Sequence, residues 1–287
     1  MNILTTLKKL FWVSRPISWP NTAYPFAVGY LLTGGALDLT LLIGTLYFLG
    51  PYNLLMYGIN DVFDYESDIK NPRKGGVEGM REERAFHPTV WKAAIISNIP
   101  FLVYLLFIGG WSAHLTLLII TFGVIAYSLK GLRFKEKPLL DSLTSSLHFV
   151  GPLLFALSLN SFPTYAWGFV IAFFIWGMAS HAFGAVQDIL PDKKGGIASI
   201  ATFLGARPTI WFAFLLYLGA AIIVGLQGAL YIPIGIAGVL YCLNIAPYLN
   251  VTEKKSANTN KAWKRFLWLN YVSGALITII ILLPIYT

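Results

Sequence analysis

Nine stretches of this chain are each apolar over a length that can cross a bilayer, and no other feature limits its fold so much. They run over 16–33, 39–60, 90–110, 112–128, 139–159, 164–187, 209–227, 229–249 and 264–286. A hydrocarbon core about 30 Å thick takes about 20 residues of α-helix. The composition agrees: of 287 residues, 56% are hydrophobic and 12% charged, against about 25% charged in soluble domains. The expected fold is therefore all-α and integral to the membrane, with nine transmembrane helices in one domain over 1–287. The connections are too short for a second domain, and no short-period repeat points to a solenoid. Cys242 is the only cysteine, which excludes an internal disulfide and leaves no thiol cluster for a metal. Lys8 and Lys9 precede the first stretch without a clear small-residue cleavage site, so it reads as a retained helix.

The basic residues orient such a bundle. The formal charge is +8, and the 21 Lys and Arg fall only in the N-terminal segment and in alternate connections. The connections near 34–38, 109–112, 159–164 and 226–229 carry none. With nine crossings every basic segment lands on one side, which the positive-inside tendency makes cytoplasmic. The N-terminus is then inside and the C-terminus outside, in the cytoplasmic (inner) membrane. Orientation and anionic lipid headgroups account for the charge, and nucleic acid is not an expected partner.

Two of the cytoplasmic connections carry the chemistry. The first reads Asn60-Asp61-Val62-Phe63-Asp64-Tyr65-Glu66-Ser67-Asp68. Asp61, Asp64 and Asp68 stand at i, i+3 and i+7, on one face of a helix. The second reads Gln187-Asp188-Ile189-Leu190-Pro191-Asp192-Lys193, with Asp188 and Asp192 at i, i+4 at the end of the sixth crossing. Like charges so placed repel unless a cation holds them, and ionisable groups at membrane depth are functional by default.

An all-oxygen set suits a hard cation. Magnesium favours a few carboxylates together with waters and substrate phosphates, whereas zinc ligands are missing from both clusters. Five carboxylates facing a diphosphate need divalent ions to hold the leaving group between the clusters. Arg73, Lys74, Arg133, Lys135 and Lys193 are candidates to clamp the remaining phosphate oxygens. Metal and cations would then stabilise the charge developing on a departing diphosphate. Tyr57, Phe63, Tyr65, Tyr127, Phe149 and Phe183 are candidates to line a dry pocket for the carbocation left behind.

Plainer readings stand beside these. An aspartate pair at helical spacing is usually a solvated face, and the basic residues over 130–137 serve equally as orientation signals. The aromatics read first as packing or interface belt. His148 and His181 read as satisfied core residues, and Asp141 as the cap of its helix. A cation-coupled transporter would also hold intramembrane carboxylates, but nearer the midplane and with broken helices.

At these residues the chain resembles the UbiA superfamily of membrane prenyltransferases. Asn60, Asp61, Asp64 and Asp68 match that family's NDxxDxxxD motif, and Asp188 and Asp192 its DxxxD motif. Tyr127-Ser128 followed by Leu132-Arg133-Phe134-Lys135 is similar to its YS…LRxK loop, and Arg73 to the basic position after the first motif. The likeness spans almost the whole chain from Ser14-Arg15-Pro16 onward. It implies a UbiA-type helical barrel open to the bilayer, in which Asn60 and the five aspartates hold magnesium. Asn60, Tyr127, Arg73, Arg133, Lys135 and Lys193 would bind the diphosphate. The reaction implied is prenyl transfer from a prenyl diphosphate to a lipophilic acceptor.

Three stretches resemble the lycopene-elongating branch in particular: 71–79, 139–152 and 180–207. That likeness implies a dimethylallyl donor and an acyclic carotenoid acceptor such as lycopene, with a quinone precursor, a chlorophyll-type alcohol or a glycerol lipid as the alternative. A carotenoid double bond would attack the dimethylallyl cation, and the new tertiary cation would lose a proton or capture water. The sequence does not identify the group that takes that proton; Asp141 and His148 are the candidates it offers.

Overall fold

The computed structural model describes residues 2–69, 75, 82–160 and 162–286. All its regular elements there are helical. Among the described residues, seven segments are long and apolar enough to cross a membrane: Leu39–Glu66, Arg84–Ile108, Trp111–Ser128, Leu140–Leu159, Ala166–Val186, Ala206–Gly225 and Ala229–Tyr248. The expected stretch 16–33 folds as a turn at Pro16–Ser18 and a helix of 13 residues, short of a full crossing by that measure. The last stretch lies in a helix of 27 residues that starts at Asn260, before Lys261, Lys264 and Arg265. Large apolar side chains such as Phe107, Trp111, Leu118 and Ile236 point outward, as a surface facing lipid requires.

The chain divides into two compact units, one of 1–134 with 147–163 and the other of 135–146 with 164–287. The first holds α1 (Ile3–Val13), α2 (Pro20–Leu32), α3 (Leu39–Leu49), α4 (Pro51–Asp68), α5 (His87–Ile108), α6 (Trp111–Ser128) and most of α7 (Leu140–Leu159). Its core is aromatic: Phe26 lies 5.2 Å from Phe48 and 6.2 Å from Phe155, and Phe48 lies 5.2 Å from Tyr52.

The stretch expected as one crossing over 39–60 breaks between α3 and α4, at Gly50-Pro51. Pro51 has no N–H to continue the helical ladder, which leaves carbonyls without helical partners where water cannot serve them. Buried polar side chains replace it. Asn53 Nδ2 donates to the oxygens of Phe48 (2.7 Å) and Leu49 (3.1 Å), and Thr22 Oγ1 donates to Phe48 at 2.6 Å. Asn98 Nδ2 on α5 donates to the Pro51 oxygen at 2.8 Å.

The second unit holds the start of α7, then α8 (Ala166–Val186), α9 (Ile189–Gly195), α10 (Ile200–Leu204), α11 (Ala206–Gly225), α12 (Ile232–Ile245) and α13 (Asn260–Tyr286). Small residues bring its helices together: Cβ atoms at Gly235 and Gly238 would run into Ala221 of α11, the close approach that membrane helices favour. Trp176, Tyr217, Tyr241, Trp263 and Phe266 form a linked aromatic cluster, with Tyr217 and Tyr241 stacked at 5.3 Å. Tyr hydroxyls inside it are satisfied, Tyr241 donating to Asn270 at 3.0 Å and Tyr217 to Ser180 at 3.1 Å.

Candidate active site

The last turns of α4 carry the first motif, and all three carboxylates are buried: Asp61, Asp64 and Asp68 are 8%, 6% and 6% exposed. The face that a cytoplasmic loop would solvate is therefore turned into the protein. Its charge is met by groups that the fold brings from far along the chain. Arg15 Nη2 donates to Asp61 Oδ1 at 2.6 Å. Its guanidinium carbon lies 4.2 Å from the ring centre of Tyr57, one turn earlier on α4. Arg133 Nη2 comes to 3.5 Å from Asp64 Oδ1. Asn60 Nδ2 donates to Asp64 Oδ2 at 2.8 Å and to the buried Ser128 Oγ at 3.1 Å, joining α4 to the end of α6.

Both arginines sit on unusual backbone. Arg15 has φ 53° and Arg133 φ 39°, in the left-handed region that costs a non-glycine residue energy. Such strain persists where the surroundings fix it, and it gathers at functional sites. At Arg15 the surroundings are the end of α1 and Pro16, which opens the next turn; Trp19 Nε1 clasps the Ser14 carbonyl at 3.1 Å. Burial alone would lower the Arg15 pKa, but Asp61, Tyr57 and Asp68 together more than offset this and hold it above its ordinary value. Arg15 Nε is buried with no hydrogen-bond partner among the described residues, a donor placed for an oxyanion beside the carboxylates. The sequence reading placed Arg15 among the basic residues of the N-terminal segment and at the start of the family likeness, but not among the site residues; its place before Pro16 was the available signal.

Of the other expected phosphate ligands in this unit, Tyr127 packs edge-on against the His148 ring at 4.9 Å. Arg73, Lys74 and the stretch 71–79, apart from Gly75, lie outside the described residues.

In the second unit, α8 ends at Val186, and Asp188 stands at the N-cap of the separate seven-residue α9. The i, i+4 relation survives, because Asp192 N donates to Asp188 O at 2.8 Å. The turn closes on Gly196 (φ 69°), where Ile197 N reaches back to Asp192 O at 2.9 Å; glycine takes that conformation without a Cβ penalty. Asp188 and Asp192 are half-buried. Lys193 turns to Glu253, with both carboxylate oxygens at 2.8 Å, and Lys135 lies half-buried in the turn Phe134–Glu136. Gln187 is fixed by Asn260, which donates to its Oε1 at 2.6 Å.

Among the described residues no three His, Cys, Asp or Glu side chains converge as a closed metal cage. The oxygen-only donor set, buried in the first motif and half-buried in the second, nonetheless fits magnesium, which takes one or two carboxylates and leaves its other positions to water and phosphate. The oxygen donors present are Asn60, Asp61, Asp64 and Asp68 in the first unit and Asp188 and Asp192 in the second.

The sequence profile of the UbiA prenyltransferase family matches residues 22–270. Over 284 residues the chain is 50% identical to the C(50) beta-cyclic carotenoids biosynthesis protein LbtBC of Dietzia; the alignment covers 98% of this chain and 65% of that longer protein. With the lycopene elongase/hydratase of Corynebacterium glutamicum it shares 48% identity over 283 residues, 98% of each. The structure of a UbiA homolog from Archaeoglobus fulgidus bound to DMAPP and Mg2+ superposes with a TM-score of 0.70 at 20% identity, covering 93% of this chain and 99% of that one. The fold is shared.

Proposed function

The chain belongs to the UbiA prenyltransferase family, and from that premise we propose that it transfers a dimethylallyl group from its diphosphate to the ends of an acyclic carotenoid such as lycopene. The acceptor is supported by the identity of 48–50% across 98% of this chain with the Dietzia and Corynebacterium proteins. The chemistry rests above all on one observation: three carboxylates buried along one face at the end of a membrane-spanning helix, with Arg15 and Arg133 drawn onto them.

Asn60, Asp61, Asp64 and Asp68 on one motif and Asp188 and Asp192 on the other bind magnesium and diphosphate in this reading. Magnesium, when bound, supplies positive charge to the leaving diphosphate. The chain's own part is to orient that group through Arg15, Arg73, Arg133, Lys135, Lys193 and Tyr127, and to keep water from the allylic cation. Asp61 does so indirectly, by holding Arg15. Nine crossings, a cytoplasmic N-terminus and an active site on the cytoplasmic face of the inner membrane belong to the same reading, supported by the one-sided placement of the basic residues.

The test is a product assay in lipid with dimethylallyl diphosphate, lycopene and magnesium, read by chromatography and mass spectrometry. Carotenoids heavier by one and two five-carbon units, lost with a chelator and in Asp64→Ala, are expected. Prenyl transfer to a quinone precursor, chlorophyll-type alcohol or glycerol lipid instead would discard the acceptor and keep the reaction.

A further inference from the structure

The first helix of the chain, α1, carries no residue of either aspartate motif and is not among the seven long apolar segments. Its 11 residues rise about 16 Å, roughly half the thickness of the hydrocarbon core. Lys8 and Lys9 stand at its middle. With about 3.6 residues per turn, its surface divides lengthwise into three stripes. Thr6, Lys9, Leu10 and Val13 make the first and are buried or half-buried. Val13 seats against α4, where a Cβ at Gly58 would come to 3.6 Å from its Cγ1. Lys9 pairs with Glu82 and lies 4.9 Å from the ring centre of Phe86, just before α5.

The second stripe is apolar and turned away from the protein: Ile3, Leu4, Leu7 and Phe11 are 80%, 77%, 58% and 44% exposed. The third, beside it, is Thr5, Lys8 and Trp12, also exposed. The end of the helix is aromatic, with Phe11 edge-on to Trp12 at 5.4 Å and to Trp19 at 5.3 Å.

A helix running along the bilayer normal within hydrocarbon would show lipid an apolar surface over its whole outer side, and one standing in water would show a polar surface. An outer side split along the helix axis, half apolar and half polar, is the pattern of a helix lying in the plane of the interface. The bilayer is the surface at hand, since the neighbouring crossing α5 turns Ile95, Ile96 and Ile99 outward to lipid. Lys8 suits lipid phosphates, and clustered Trp and Phe rings suit headgroup depth.

We propose that α1 is an in-plane membrane anchor. Ile3, Leu4, Leu7 and Phe11 dip into the boundary between headgroups and acyl chains, while Thr5 and Lys8 face water and phosphate. The anchor adjoins the candidate site: Ser14 N and Arg15 N donate back to the Leu10 and Trp12 carbonyls at 3.0 and 3.1 Å, so the chain passes directly from α1 into Arg15, which grips Asp61. The bilayer surface thereby fixes the point from which Arg15 reaches the first motif.

The test needs no substrate and stands apart from the proposed reaction. The full chain, one copy in each phospholipid nanodisc, carries a nitroxide on Ile3→Cys, Leu4→Cys, Thr5→Cys, Leu7→Cys or Lys8→Cys in turn. All five positions are exposed, so the substitutions leave the packing intact, and wild type treated alike corrects for the buried Cys242. Collisions with oxygen, which gathers in hydrocarbon, and with a nickel chelate, which stays in water, give the depth of each label. Labels at 3, 4 and 7 are expected about 5–10 Å below the phosphates, and those at 5 and 8 at or above them, so that depth follows the turn of the helix. Leu4→Glu with Leu7→Glu should lift the label at 3 toward the chelate. A depth that changes steadily from 3 to 8 would set α1 along the bilayer normal and overturn the proposal. Equal exposure of all five labels to the chelate would place α1 in water, and shielding of 3, 4 and 7 from both probes would mean that protein covers the face; either result overturns it too, as would an unmoved label in the double glutamate variant.

Discussion

Arg15 Nη2 lies 2.6 Å from Asp61 Oδ1, across 46 residues of sequence, and this bridge ties the turn before α2 to the motif face of α4. Asp61 is buried and Arg15 keeps only 14% of its side chain exposed, so removing one leaves a poorly compensated charge. Arg15→Ala is expected to lose about 3–5 kcal/mol of stability and most prenyl transfer, whereas Arg15→Lys, which keeps the charge but not the planar fork over Tyr57, should fall between. Melting in lipid and diphosphate release check both; an alanine variant that matches wild type in each would remove Arg15 from the site.

Asp64→Asn and Asp188→Asn are expected to lower turnover by about 100-fold or more, the scale on which charge stabilisation of a transition state is lost. Melting without ligands should stay close to wild type for Asp188→Asn, whose side chain is half-buried. A magnesium titration of diphosphate release reads this, and full activity in either variant would count against its motif.

Magnesium and diphosphate together should raise the melting temperature, while each alone does little, because each completes the other's coordination. At ligand about 100 times its Kd the gain is about 2.7 kcal/mol. A chelator should erase the shift without unfolding the protein. Unfolding by chelator alone would make the metal structural.

Two glycine substitutions on neighbouring helices should both weaken the fold. Gly151→Ala would press on Ile120, and Gly177→Ala on Ser146; each is expected to cost about 1–3 kcal/mol from overpacking. Melting in lipid reads this, and an alanine variant at either position that melts like wild type would show that its neighbour yields without strain.

Asp38 caps α3, accepting from Leu41 N at 2.9 Å and from the Tyr30 hydroxyl at 2.9 Å. The Leu41 N–H, with the Tyr30 hydroxyl, holds its carboxyl below the usual carboxylate range. A group so depressed stabilises the fold above its unfolded pKa, and the contribution is lost as pH falls through the acid range. The melting gap between wild type and Asp38→Ala should therefore be widest near neutrality and narrow below about pH 4. A gap constant with pH would show that the charge plays no part.

Hydropathy located the α5, α6, α7, α8, α11 and α12 crossings because each is a single apolar run, and the i, i+3, i+7 spacing placed Asp61, Asp64 and Asp68 on one face. What the sequence could not give were pairings across distance. Nothing near Arg15 names Asp61, and nothing near His181 names Ser142, because both contacts depend on how whole helices pack. The second aspartate pair was read as the end of a crossing, whereas Asp188 starts a helix of its own, since a helix boundary of one or two residues leaves no mark on hydropathy. The amphipathic α1 was passed over because it is too short and too charged to register as a span.

The broken ladder between α3 and α4 carries a consequence for how this sequence can drift. Replacing Pro51 alone would restore one backbone donor, whose helical acceptor is the Tyr47 carbonyl, and leave the Phe48 and Leu49 carbonyls still dependent on Asn53; replacing Asn53 alone would strand the carbonyls it now serves. Thr22 and Asn98 are bound into the same exchange. Pro51, Asn53, Thr22 and Asn98 therefore form a linked set, and related chains should either keep all four or have abandoned them together in favour of an unbroken helix.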